Sequence, residues 1–346
     1  MFRVVFILLF FFSLDCNSQH DQKLTWSGYL ETYYSYDFNK PDDHLRPDFL
    51  YNFKRHNEFS VNLALLTASY QDEYIRSTVG LMLGNYAQYN LASEPVWAQM
   101  VYEASVGFKL MDKLWLDVGV MPSDIGFESA IGATCWHLSR SLLAENSPYF
   151  LTGARLSYEA SDKLDLMLWA TNGWQNIQRE HRVQGLGLSF AVDYAVNEKL
   201  NLHYANYLGN QDVNPGGEFR VFNNLFGKYN FGSWGFILGV DAGWETTVFS
   251  QVNQWRGITA SIRRELNEKW YVAGRAEYYK DRQAVILAEG MKLNGFSANL
   301  DYHVSSQGLI RFEVRQFFGE DAYFAIPGAS FSKGNTAVTT SFSISF

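Results

Sequence analysis

From Leu24 onward the chain alternates between apolar and polar positions. Leu24, Trp26, Gly28, Leu30, Thr32, Tyr34, Tyr36 and Phe38 share one face, with Thr25, Ser27, Tyr29, Glu31, Ser35 and Asp37 on the other. The pattern recurs. Phe59, Val61, Leu63 and Leu65 oppose Glu58, Ser60 and Asn62; Ile75, Val79, Leu81 and Leu83 oppose Arg76, Thr78 and Gly80. Leu186, Leu188, Phe190, Val192 and Tyr194 oppose Gly187, Ser189 and Asp193. Successive side chains of a strand point to opposite faces, so each stretch predicts a strand with one apolar and one hydrated side. The many small residues on the hydrated side suggest an interior left open as a lumen.

The connections alternate as well. Short turns fall at Gln71-Asp72-Glu73, Met111-Asp112-Lys113, Ser161-Asp162-Lys163, Asn197-Glu198-Lys199, 230–233, Asn267-Glu268-Lys269 and 305–308. Longer loops fall near 39–56, 85–98, 122–149, 172–183, 209–218, 245–254, 281–290 and 319–333. Short turns at one rim and long loops at the other mark a transmembrane antiparallel up-and-down β-barrel, with periplasmic turns and extracellular loops. The fifteen connections imply about sixteen strands, each of roughly ten residues. In the last strand Thr336, Val338, Thr340, Phe342, Ile344 and Phe346 face one way. An alternating strand closing on Phe346 suits recognition by the outer-membrane assembly machinery.

Composition agrees with an all-β chain. Aromatics make up 17% of the residues and Pro is rare, a mix that favours strands. Mean hydropathy is -0.18 although 47% of residues are hydrophobic, so apolar side chains are interspersed rather than gathered into helical spans. Trp115, Trp169, Trp174, Trp234, Trp244, Trp255 and Trp270 cluster near strand ends and suggest aromatic girdles at the two membrane interfaces. The sole greasy run, Val4 to Phe12, follows Arg3 and precedes Asp15, Cys16 and Ser18. It reads as a signal peptide over 1–18, leaving 19–346 as one barrel domain. Asp15 before Cys16 fits a lipoprotein site poorly.

The net charge of -8 argues against a nucleic-acid partner. With Cys16 lost in the leader, Cys135 stands alone, so neither a disulfide nor a Cys-based metal site is expected. No cofactor motif occurs in a supporting context, and His137 beside Ser139 and Ser141 is the nearest approach to a catalytic set. No enzyme is expected.

The loop at 122–149 carries Ile125, Phe127, Ile131, Trp136, Leu138, Leu142 and Leu143, too apolar for a solvent-washed tip. The inside wall of the barrel is the economical place to pack it, with a short helix over Ser139 to Glu145. Its IGFESA and SRSLLAENSPY stretches, the following Gly153 and the NGW at Asn172 to Trp174 resemble the OmpL-like family of outer-membrane β-barrel porins. The resemblance spans essentially the whole mature chain and implies a porin-like barrel with an inward-folded third loop.

With the loop inside, Asp124, Glu128, Arg140 and Glu145 are candidates to line a constriction. Arg155, Arg275, Arg311 and Arg315 would face them from the wall, together with Arg76, Glu103, Lys109, Arg263, Glu277 and Glu313. Opposed charges across an eyelet bias which solutes pass. Equally, several of these residues could pair with one another and merely pin the loop. The leading expectation is a passive channel for small hydrophilic solutes or ions in the bacterial outer membrane, contacting lipid and compatible with a homo-trimer. The alternative is a non-conducting barrel that docks a partner in an envelope complex. A fatty-acid-type transporter would need an N-terminal hatch, for which Gln19 to Lys23 leave no room, and an energised receptor would need a plug domain.

Overall fold

Sixteen strands close into one antiparallel barrel in a computed structural model of the chain, which describes residues 23–179, 183, 185–211, 218–247 and 249–346. In order they are β1 (Leu24–Asp37), β2 (Phe59–Gln71), β3 (Ile75–Leu83), β4 (Val101–Met111), β5 (Leu114–Pro122), β6 (Phe150–Ser161), β7 (Leu164–Thr171) and β8 (Gly187–Asn197). They continue as β9 (Leu200–Asn210), β10 (Phe219–Phe231), β11 (Trp234–Thr246), β12 (Val252–Glu265), β13 (Trp270–Asp281), β14 (Met291–His303) and β15 (Gly308–Gly319), and end with β18 (Gly334–Ser345). Between β15 and β18 a small hairpin of β16 (Phe324–Ile326) and β17 (Ser330–Ser332) stands apart from the barrel. Short turns gather at one rim and long loops at the other, as the sequence predicts. The leader expected at Met1 to Ser18 lies outside the described residues, as do parts of the loops at 172–183, 209–218 and 245–254.

Each strand pairs with its chain neighbour, and β18 closes the ring against β1, with Leu30 opposite Ile344. At this seam Gly28 N donates to Phe346 O at 2.7 Å, and Phe346 N returns the bond at 3.0 Å. A Cβ on Gly28 would sit 2.3 Å from the Phe346 ring, so only glycine lets that ring lie over the junction.

The alternation read from the sequence fails on β2. A bulge between Glu31 and Thr32 leaves Asn62 as an extra residue on β2. Val61 faces outward, but Leu63 and Leu65 turn inward and are buried, while Ala64, Leu66 and Ala68 take the outer face. The tryptophan girdle also needs correction. Trp234, Trp244 and Trp270 are 37%, 40% and 38% exposed on the outer face, whereas Trp169 and Trp255 are 0% and 2% exposed inside. Trp115 also points inward, beneath the Arg76 guanidinium at 4.4 Å, and Trp174 packs edge-on against Tyr207 and Phe222.

The core therefore lies inside the barrel. Loop 1 (38–58) contributes Phe49 and Leu50, loop 3 (123–149) contributes Ile125, Leu142 and Leu143, and the wall contributes Trp169, Tyr207, Phe222, Trp255 and Tyr279. The small residues of the inner face are sockets for this filling rather than open space. A Cβ on Gly235 would meet the Trp136 ring at 2.6 Å, one on Gly239 the Phe127 ring at 2.6 Å, and one on Gly257 Leu143 at 2.4 Å. Each fully buried Leu or Phe of the loop contributes roughly 1.5–3 kcal/mol to its docking.

Candidate functional site

Loop 3 enters the barrel after β5 and crosses to the wall formed by β10 to β15. Its backbone is held by wall side chains: Gly126 N donates to Asn224 Oδ1 (3.2 Å), Leu138 N to Asn299 Oδ1 (2.9 Å), Ser139 N to Glu313 Oε2 (2.7 Å) and Leu142 N to Glu277 Oε2 (2.7 Å). Arg311 grips the loop from the same wall, donating to the carbonyls of Gly132 (2.8 Å), Cys135 (3.0 Å) and His137 (2.9 Å). Its guanidinium is fixed at the back by Asp301, at 2.8 and 2.9 Å.

Beside this clamp lies an ion cluster. Arg275 meets Glu128 of the loop at 3.6 Å and Glu277 and Glu313 of the wall at 3.4 Å each, and it donates to Ser139 O at 2.8 Å. Arg315 binds Glu277 at 2.6 Å and Ser139 Oγ at 3.1 Å. Charges taken out of water cost several kcal/mol each unless paired and hydrogen-bonded, and here they are. Strand register explains why the cluster forms: Arg275 stands level with Ser297 and Arg315, one row from Asn299 and Glu313.

The expected constriction residues fall into two groups. Arg140, Glu145, Arg275, Arg311 and Arg315 are at most 3% exposed. Arg140 donates to Ser129, Leu138 and Ala130 carbonyls within loop 3, and Glu128 accepts from Ser141 N. Asp124 and Arg155 form the second group. They pair at 3.5 Å with side chains about one-fifth exposed, and Trp169 Nε1 donates to Asp124 at 2.7 Å. The expected helix is shorter than the sequence suggests, running Leu142–Glu145, because Ser141 is itself extended and caps the helix, its side chain accepting from Ala144 N.

Loop 1 completes the filling, a contact not expected from the sequence because the apolar segment Phe49, Leu50, Tyr51 and Phe53 stands among charged residues. Tyr51 N donates to Glu145 Oε2 at 2.8 Å and Asn52 Nδ2 to Oε1 at 3.2 Å. Burial pushes the Glu145 carboxyl up to about 7, against the pull of the Tyr51 N–H and of Arg315 and Arg140. Burial, reinforced by Arg275 and Arg311, holds the His137 imidazole well below its ordinary range. Ser139 Oγ is taken by Arg275 and Arg315 and Ser141 Oγ by Glu128, so neither hydroxyl is engaged with His137.

A row of charge crosses the opposite wall, toward the turn rim. Arg76, Gly107, Asp117, Arg155 and Trp169 stand level on β3 to β7. Asp117 sits between two guanidiniums, with Arg76 Nε at 2.6 Å and Arg155 Nη2 at 3.4 Å. A Cβ on Gly107 would lie 2.2 Å from Asp117, so the glycine makes room for the pair. These side chains border a cavity of about 490 Å³ that also touches Lys23 and Glu103.

The sequence model of the family described as "Putative beta-barrel porin-2, OmpL-like" matches residues 23–346. No curated protein sequence matches the chain. Among solved structures, it is similar to an anion-selective porin from Comamonas acidovorans (TM-score 0.64, 10% identity, 93% of this chain and 99% of that one). It is also similar to OmpT expressed in the outer membrane of Vibrio cholerae (TM-score 0.63, 11% identity, 93% and 97% covered). The outer-membrane channel DcaP of Acinetobacter baumannii is a third (TM-score 0.62, 9% identity, 93% and 97% covered). At such identities the likeness is one of fold.

Proposed function

Because the chain belongs to the OmpL-like β-barrel porin-2 family, and is by family and fold a bacterial outer-membrane porin, we propose that it is a passive diffusion channel for small hydrophilic solutes or ions. The observation that carries this reading is the charged cavity of about 490 Å³ held inside a closed wall of sixteen strands. Sixteen strands enclose more space than their own side chains fill. In this reading Glu128, Arg140, Glu145, Arg275, Arg311 and Arg315 pin loop 3, while Asp124 and Arg155 face the solute. The chain acts without cofactor and is no enzyme. A cleaved leader over Met1 to Ser18, insertion through the strand ending at Phe346, and assembly as a homo-trimer belong to the same proposal.

The test is uptake of sugars of graded size by liposomes holding the purified protein. Rates that fall with sugar size support a channel; liposomes as tight as protein-free ones exclude it. A second reading, a non-conducting barrel that docks a partner, is favoured by the filling of the upper lumen by loops 1 and 3. It requires one stoichiometric partner to co-purify with tight liposomes.

A further inference from the structure

The ion cluster and the glycine sockets fasten loop 3 to the β10–β15 wall, which leaves the question of where a solute passes it. Among the described residues every barrel strand except β4 carries a buried inward side chain, from Glu31 on β1 and Leu63 on β2 round to Glu313 on β15 and Ser341 on β18. On β4 the inward Glu103 and Ser105 stay half-exposed. The spaces beside them adjoin one another through shared lining residues. The cavity of about 490 Å³ at the turn rim shares Ser69, Thr78 and Glu103 with a second of about 410 Å³, which reaches Tyr102 of β4 and Ile131 of loop 3. The second shares Tyr102 and Pro122 with a third of about 40 Å³, squeezed between loop 3 and the wall. That last space holds no more than a few waters. Tyr86, in the loop between β3 and β4, and Tyr149 at the end of loop 3 border it, their rings edge-to-face at 5.3 Å.

We propose that solutes cross this barrel along the β2–β5 wall, past Glu103, and that the Tyr86–Tyr149 pair is the closed gate at the loop end of that path. The proposal rests on the channel reading above and gives it a route. Moving loop 3 away from the β10–β15 wall would strip buried ion pairs of their partners, whereas the β2–β5 side holds the loop with no such ion cluster among the described residues. There Tyr149 is held by neutral hydrogen bonds, from Asn52 Nδ2 to its hydroxyl (3.1 Å) and from its N–H to Gln175 Oε1 (2.6 Å), beside aromatic and aliphatic contacts. Glu103 accepts a hydrogen bond from Ser105 Oγ at 3.0 Å, while the neighbouring guanidiniums of Arg76 and Arg155 are turned to Asp117. A passing ion thus meets a carboxylate with acceptor capacity to spare, which makes Glu103 a selectivity-determining residue.

The test places single cysteines in a Cys135→Ser background and adds the cationic thiol reagent MTS-ethyltrimethylammonium during recording in planar bilayers. Thr78→Cys, shared by the two larger cavities, should lose more than half its current on modification; Ser69→Cys is the substitute if Thr78→Cys fails to fold. Thr259→Cys, buried on the opposite wall, should keep its current. Glu103→Gln should shift the reversal potential in a salt gradient toward that of the anion, and Tyr86→Ala should raise the unit conductance. Block at Thr259→Cys with none at Thr78→Cys or Ser69→Cys, in a conducting protein, overturns the route alone. A wild-type protein that never conducts removes the channel reading and the route with it.

Discussion

Replacing Arg275 with methionine should release loop 3 while leaving the barrel intact. The substitution keeps an unbranched apolar stem but removes the cation that faces Glu128, Glu277 and Glu313 at 3.4–3.6 Å and donates to Ser139 O at 2.8 Å. Three buried carboxylates would then share Arg315, whose ion pair is with Glu277 alone among the described residues. Removing one partner of a buried pair costs about 3–5 kcal/mol. At about 1.36 kcal/mol per tenfold, the docked-to-undocked ratio falls by roughly two to four orders of magnitude. Hydrogen exchange on the detergent-solubilised protein reads this directly, because Ser139 N and Leu142 N donate to Glu313 and Glu277. Protection over 138–145 should drop by that factor while strand amides stay protected. Unchanged protection of those amides in Arg275→Met would show that the cluster does not hold the loop.

Three further outcomes follow from contacts elsewhere. Glu145 is raised in the docked state to about 7 from an ordinary value of 4.5; the docked state binds the extra proton between those values, so docking of loop 1 on loop 3 weakens as pH rises through that window. Loop protection should therefore be greater at about pH 5 than at about pH 8, and Glu145→Gln should hold the low-pH behaviour at both. Gly107→Val drives a side chain into Asp117 and Arg76; unit conductance should change with the heat-modifiable gel mobility retained, and an unaltered conductance would count against this row as part of the path. Phe346→Ala removes the ring that covers Gly28 at the β1–β18 seam, and the folded fraction in the outer membrane should fall, as measured by the ratio of fast to slow bands on unboiled gels.

The barrel was legible because lipid on one side and water on the other imposes a period of two that few other environments sustain over sixteen strands. The bulge at Asn62 escaped because Phe59, Val61, Leu63 and Leu65 continue an unbroken apolar phase straight through it; the competing phase of Ala64, Leu66 and Ala68 was the available signal. Trp115, Trp169 and Trp255 lie inside for a different reason. Their strand phase puts them with Asp117, Thr171 and Gly257 on the inner face, and that phase outweighs the general preference of tryptophan for membrane interfaces. The apolar content of loop 3 foretold that it packs inside. Which residues pin it could not be read, because the partners come from strands more than a hundred residues away and meet the loop only through cross-strand register.

A hydrated path inside a lipid-facing wall underlies every outcome above, and single-channel recording of the purified wild-type protein tests it most directly. Discrete, ohmic conductance steps are expected, small because loop 3 is docked, that enlarge in Arg275→Met. Bilayers that stay silent with both proteins, each shown to be folded by its heat-modifiable mobility, would contradict it.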